Sequence, residues 1–225
     1  MRGYVKQGYV KVGARSSPLS RVQVEEIYDE LEKFHPDLEF DPVFLETSGD
    51  LDQETSLRDI PKNDFFTREI DALLLAKYID VGIHSAKDLP EPLAPGLEMI
   101  ALTRGLNSAD SLVIPEGETI DSLPSGALIA TSSERREDAV KQLRSDFIFR
   151  DIRGTIDKRL EELEYGRVDG VVIAEAALIR LELTHLNRVI LPGQSTPLQG
   201  QLAVVAREGD EKMKKLFACI DSREI

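Results

Sequence analysis

A single cysteine, Cys219, among 225 residues excludes an internal disulfide, and with it the stapled scaffolds of small secreted proteins. Only three histidines occur, His35, His84 and His185. They stand too far apart in sequence for ligand spacing, so no structural metal site is expected. No window approaches the roughly 18 consecutive apolar residues of a membrane span. The opening residues, MRGYVKQGYVKVGARSS, also lack an apolar stretch of signal-peptide length. Cations are scarce: 28 Lys and Arg face 41 Asp and Glu, a formal net charge of −13, which argues against nucleic acid or an anionic membrane as partner. No fixed-period repeat appears, so a solenoid is not expected. These absences point to a soluble cytoplasmic enzyme, and any anion site it has must be local.

What is present suits a globular chain of one large domain or two packed ones, with 41% hydrophobic and 31% charged residues free of long like-charge runs. Short β-branched runs alternate with amphipathic stretches, the pattern of parallel sheets covered by helices. Tyr9 to Val12 reads as a strand. Ser16, Ser17 and Pro18 then supply a cap and a first-turn proline for a helix to about Phe34. A strand follows over Glu39 to Glu46, then a long polar loop from Thr47 to Asp64. Helical spacing covers Phe65 to Lys77, and Val81 to His84 is a short buried strand. Further strands are expected at Ser111 to Ile114, Leu128 to Thr131, Phe147 to Asp151, Gly170 to Ala174 and Leu202 to Ala206. Helices are expected up to Leu143, over Ile156 to Tyr165, and from Asp210 to about Ile220.

The sharpest local feature is HSAKD at 84 to 88, at the end of an expected strand, where open α/β sheets place ligands. An acid beside a base suits a site that manages a charged intermediate, and it equally suits a strand-end cap with surface ion pairs. TSSERR at 131 to 136 again runs from strand to helix. Its hydroxyls, free N–H groups and two arginines form a natural anion seat, or else a solvated pair beside Glu134, Glu137 and Asp138. RDIRGT at 150 to 155, with Lys158 and Arg159 a turn on, repeats the arrangement, as do Arg15, Ser16 and Ser17. Four such turns in an acidic chain suggest one polyanionic ligand gripped by several carboxylate-binding forks.

In order, GARSSPLSRVQ at 13 to 23, SGD at 48 to 50, IHSAKDLP at 83 to 90, TSSERR at 131 to 136, DIRGTIDKRL at 151 to 160, IAEAALIRL at 173 to 181 and PLQGQLAV at 197 to 204 resemble the porphobilinogen deaminase (hydroxymethylbilane synthase) family. The resemblance covers nearly the whole chain. It implies an α/β fold of two periplasmic-binding-protein-like domains with an active-site cleft between them, residues 1–102 plus 196–225 forming the first and 103–195 the second. It also implies a transferase of heme biosynthesis that condenses four porphobilinogen units into hydroxymethylbilane and releases ammonia at each addition. Carried over position by position, Asp88 matches the catalytic carboxylate. Arg15, Ser17, Lys87, Ser133, Arg135, Arg136, Arg153, Arg159 and Arg180 match residues that hold pyrrole acetates and propionates. The implied partners are porphobilinogen and its polypyrrole intermediates, with no nucleic acid, no membrane and a monomeric state.

Three departures accompany the resemblance. The family continues into a small third α+β domain whose cysteine carries the dipyrromethane cofactor by a thioether, whereas this sequence stops at Ile225. That domain is expected to be absent, as in the short two-domain forms of chlamydia-like bacteria. Cys219, in LFACIDSREI, does not stand in the family's cofactor-cysteine motif and reads as a core residue rather than an attachment site. The loop from 57 to 66 has no glycine, and Lys62 is its candidate for the family's loop lysine. The segment around Gln199, Gly200 and Gln201 is shortened before Arg207. The alternative left open is a catalytically impaired polypyrrole- or anion-binding protein that kept the binding residues without the cofactor attachment.

Overall fold

In the computed structural model, which describes residues 9–52, 55 and 64–224, the first alternating run forms β1 (Tyr9–Arg15) with Val10, Val12 and Ala14 buried. Helix α1 (Pro18–Glu32) starts where Ser17 Oγ accepts from Ser20 N at 3.3 Å and Pro18 fills the first turn. Strand β2 (Glu39–Leu45) pairs in parallel with β1, Tyr9 opposite Glu39 through Arg15 opposite Leu45. The expected loop after it contains one helical turn, α2 (Ser48–Leu51). A 3-10 turn (Asp64–Phe66) precedes α3 (Arg68–Leu75), so the helix expected from Phe65 to Lys77 is broken at Thr67, whose backbone is not helical. Strand β3 (Val81–Ser85) ends in a 3-10 turn (Ala86–Asp88), and β4 (Leu97–Leu102) follows the prolines.

The middle of the chain runs β5 (Asp110–Val113), β6 (Leu128–Ala130), α4 (Glu134–Leu143), β7 (Ile148–Arg150), α5 (Ile156–Glu164), β8 (Gly170–Ala174), α6 (Glu175–Arg180) and β9 (Arg188–Ile190). Then come β10 (Leu202–Arg207), α7 (Glu211–Phe217) and a 3-10 turn (Ala218–Ile220).

The chain divides into two compact units. Of the described residues, 9–51, 64–105 and 201–224 make the first, and 52, 55 and 106–200 make the second. The first holds a sheet in the order β2-β1-β3-β10-β4, the second one in the order β7-β6-β8-β5-β9. Neither sheet is purely parallel. Strand β10 lies antiparallel to both β3 and β4, and β5 lies antiparallel to both β8 and β9. Hydrophobic periodicity reports which face a residue takes but not the direction of its strand, so the expected parallel sheets prove to be mixed.

Five consecutive residues of β10, Leu202 to Ala206, are fully buried because the strand is covered on both sides. Leu202, Val204 and Ala206 join a core with Ile27, Leu31 and Phe217, while Ala203 and Val205 join another with Ile70 and Leu74. Each such Leu or Val contributes about 1.5–3 kcal/mol by leaving water. The second unit packs Leu112, Ile129, Val140 and Val172 into its own core. Among the described residues no helix is long and apolar enough to cross a membrane.

Candidate active site

Strands β1 and β3 run side by side in the same direction, Val12 opposite Val81, so their C-terminal ends deliver Arg15 and the 84 to 88 turn to one place. Arg15, Ser20, Gln23, Phe66, Thr67, Ile83, His84, Ser85 and Asp88 line a pocket there. The strand end is tied to α1 by Gln23 Nε2, which donates to Ser85 Oγ at 2.8 Å. Half-buried Asp88 makes no hydrogen bond or ion pair with another described side chain, so its carboxylate is available to a donor from outside the protein. Lys87 is half-buried beside it.

Arg15 is not a loose cation. Its Nε donates to both Asp50 oxygens at 3.1 Å, its Nη2 pairs with the same carboxylate, and the guanidinium lies 4.5 Å from the Phe66 ring centre. Asp50 is in turn fixed by Thr47, whose N and Oγ1 donate to it at 3.0 and 2.8 Å. Burial pushes the Asp50 carboxyl up, but the Arg15 and Thr47 contacts outweigh it and hold the group below the ordinary Asp value. The SGD motif thus acts through its aspartate, which orients Arg15. Ser17 uses its hydroxyl as the α1 cap and as a donor to Ser20 Oγ at 3.0 Å.

His84, the last residue of the buried strand expected from the sequence, lies in the interior. It is 6% exposed, and its Nε2 has no hydrogen-bond partner. The ring leans back over Gly82, where an added Cβ would lie 2.9 Å from Nε2, so the glycine makes the room the imidazole occupies. Burial, helped by the nearby Arg15 charge, lowers its pKa from 6.5 to about 4. It is therefore neutral at pH 7.

In the second unit the β6 and β7 ends lead into α4 and α5. Ser132 binds the two turns together: Oγ donates to Ile152 O at 2.8 Å and accepts from Ile152 N at 2.9 Å. Ser133 is the N-cap of α4, but its side chain makes no capping bond. Arg135 and Arg136 pair with Asp110, not with the acidic residues of their own helix. Arg153 Nη2 donates to Asp52 O at 2.7 Å, and Arg159 Nε donates to Gly154 O at 2.9 Å. Arg180 is buried and donates to Gly200 O at 2.9 Å. Gly200 has φ of +88° and lies against the Leu106 and Asn107 carbonyls, a position that only glycine fills without strain.

Lys62 and the loop from 57 to 63 lie outside the described residues. Cys219 requires a correction: it is exposed, not a core residue. The chain leaves α7 as a 3-10 turn, in which residues three apart eclipse. Phe217 and Ile220 therefore share the buried side and Cys219 falls off it. Partial desolvation of its sulfur raises the thiol pKa, and Sγ contacts Leu216 O at 3.5 Å. It is not among the residues lining the pocket of Arg15 and Asp88.

Two α/β units, each with a mixed five-stranded sheet and polar groups at strand-to-helix turns, place the chain in the class of periplasmic-binding-type folds. Solved structures agree on that fold. The regulatory domain of OxyR2 from Vibrio vulnificus, sulfate-bound, superposes with a TM-score of 0.55 at 15% identity over 98% of this chain and 97% of that one. The periplasmic VFT2 domain of BvgS from Bordetella pertussis gives 0.54 at 11% identity over 94% and 86%. A narrower assignment comes from sequence. Residues 10–215 match the family model described as "Porphobilinogen deaminase, dipyromethane cofactor binding domain". A "Probable porphobilinogen deaminase" of Chlamydia pneumoniae is 39% identical over 211 residues, 94% of this chain and 89% of that protein. The porphobilinogen deaminase of Streptococcus sanguinis is 36% identical over 222 residues, 96% of this chain and 72% of that protein. The chain belongs to the porphobilinogen deaminase family.

Proposed function

We propose that this chain is a tetrapyrrole-forming transferase that joins four porphobilinogen units head to tail into hydroxymethylbilane, with loss of ammonia at each addition. The observation that carries the reading is the Asp88 carboxylate, left without a side-chain partner among the described residues in a pocket that also holds Arg15. Departure of the substrate's amine leaves a cationic azafulvene. A carboxylate beside the pyrrole N–H stabilises that developing charge and takes up the proton lost when the new carbon–carbon bond rearomatises. Arg135, Arg136, Arg153, Arg159, Arg180 and Lys87, with Ser17 and Ser133, receive the acetate and propionate arms and fix the ring planes. Arg15, already neutralised by Asp50, supplies a rigid wall more than free charge. We place the enzyme in the cytoplasm as a monomer without nucleic-acid partners, the last of these supported by its acidic balance.

The matched family model names a dipyrromethane group, and the donor set suits it. Hydroxyl and guanidinium donors such as those of Ser133, Arg135 and Arg136 suit acidic arms of that kind, and a carboxylate such as that of Asp88 suits pyrrole N–H groups. When bound, that group supplies the pyrrole end from which chain growth begins. Cys219, exposed and absent from the pocket lining, is not placed to hold it.

The purified full chain incubated with porphobilinogen is expected to consume it and to yield material that oxidises to uroporphyrin. A folded sample that shows no consumption, under conditions where a longer relative turns over, overturns the reading, and retained ligand binding would then identify a pure binder. Cys219→Ser is expected to leave turnover within about twofold and the stability within about 0.5 kcal/mol, as for a surface substitution. Loss of turnover together with loss of Ehrlich-positive mass from the intact protein would instead make Cys219 the attachment point.

A further inference from the structure

We propose that Asp110 is the positioning residue of the carboxylate seat: it sets two guanidinium forks at fixed angles and leaves N–H groups of both for an acidic arm of the ligand. The inference rests on the reading of Arg135 and Arg136 as ligand-binding residues. Asp110 is the first residue of β5, a strand held between β8 and β9, and it is 3% exposed. Its Oδ1 accepts from Arg136 Nε at 3.0 Å, Arg136 Nη2 at 2.6 Å and Gln199 Nε2 at 3.0 Å, and its Oδ2 pairs with Arg135 Nη2.

The two arginines sit in the first turn of α4, where the helix dipole disfavours positive charge and where Glu134 and Glu137 are close in sequence. They point instead at a buried carboxylate across the sheet. One negative charge shared by two positive ones leaves the cluster net positive, so it is an incomplete ion triad that an incoming carboxylate completes. Both arginines keep donors that Asp110 does not use. Arg136 engages Asp110 through Nε and Nη2, leaving Nη1. Arg135 uses Nη1 on Gln194 O at 2.9 Å and Nη2 on Asp110, leaving a buried Nε without a partner. Burial pushes the Asp110 carboxyl up, yet the arginines hold it below the ordinary Asp value, so it stays charged while it positions them. Gln199, itself buried and bonded to Ser108 O at 2.6 Å, anchors Asp110 from behind.

The test compares Asp110→Asn, the double variant Arg135→Ala with Arg136→Ala, and the triple variant, in steady-state turnover of porphobilinogen by the full chain. Asp110→Asn is expected to raise KM about tenfold and to change kcat by less than about threefold, because binding orientation is lost while the reacting carboxylate is untouched. The double variant is expected to raise KM at least as much, and the triple variant no further, because Asp110 acts through those two side chains. If Asp110→Asn fails to fold by circular dichroism, Gln199→Leu replaces it, with an expected KM increase of about threefold. A double variant with unchanged KM overturns the seat itself. A double variant with raised KM, beside an aspartate or glutamine variant that leaves KM unchanged or adds its full factor to the triple variant, overturns only the positioning role.

Discussion

Replacing Asp88 with Asn is expected to lower kcat about a hundredfold to a thousandfold while leaving the melting temperature of the protein unchanged. The rate loss follows from removing the one charge placed where the azafulvene cation develops; losing a single preorganised group of this kind costs about 10²–10³ in kcat. The unchanged stability follows from a different fact. Asp88 carries no ion pair or hydrogen bond from another side chain in its pocket, so the amide breaks no network. Ammonia release in single turnover measures the first effect, and denaturant unfolding the second. A kcat within threefold of the parent would remove Asp88 from the chemistry. A large stability loss would show that the carboxylate is structural.

The second large effect is on stability as a function of pH. His84 has a folded pKa of about 4 against an ordinary value of 6.5, because burial disfavours the imidazolium and Arg15 repels it. Between those values the unfolded chain takes up a proton that the folded chain refuses, so the unfolded state binds more protons and stability falls as pH falls. The contribution of the neutral ring is complete above pH 6.5, declines progressively below it and is exhausted near pH 4. The full loss is about 3 kcal/mol at 1.36 kcal/mol per pKa unit. Unfolding of the parent and of His84→Gln in urea at pH 7 and pH 4.5 checks this. The parent is expected to lose about 2–3 kcal/mol more than the variant across that interval, and parallel losses would show that His84 titrates normally in the folded protein.

Much of the fold could be read from the chain because local signals were strong. Ser17 followed by Pro18 marks the start of α1, and the five apolar residues of β10 mark a strand covered on both faces. Strand direction could not be read, nor could β4 and β9: LEMIAL follows a proline-rich turn without clean alternation, and β9 has only three residues. At the site, the turns carrying Asp88, Arg135 and Arg136 were visible as motifs. Their partners were not. Asp110 stands 25 residues before Arg135 and looks like an ordinary turn aspartate until the sheet brings the two together. The signal for His84 was present in Gly82, two residues earlier on the same strand face, which opens the space above it. Cysteine's habit of burial and the apolar neighbours of Cys219 suggest a core position, but Phe217 and Ile220 take the buried side and leave Cys219 off it.

The position of β10 has a consequence for how the molecule is made. Its neighbours β3 and β4 leave the ribosome more than a hundred residues before it does, and until it arrives each has an unpaired edge toward the slot between them. The second unit's sheet is complete as soon as β9 emerges, since all five of its strands precede β10. During synthesis the later-encoded unit can therefore close first, and the earlier one stays an open, aggregation-exposed sheet until its fourth-placed strand is inserted. Long-range closure of this kind slows folding. A nascent chain halted before residue 202 is thus the species of this protein with the greatest need of a chaperone.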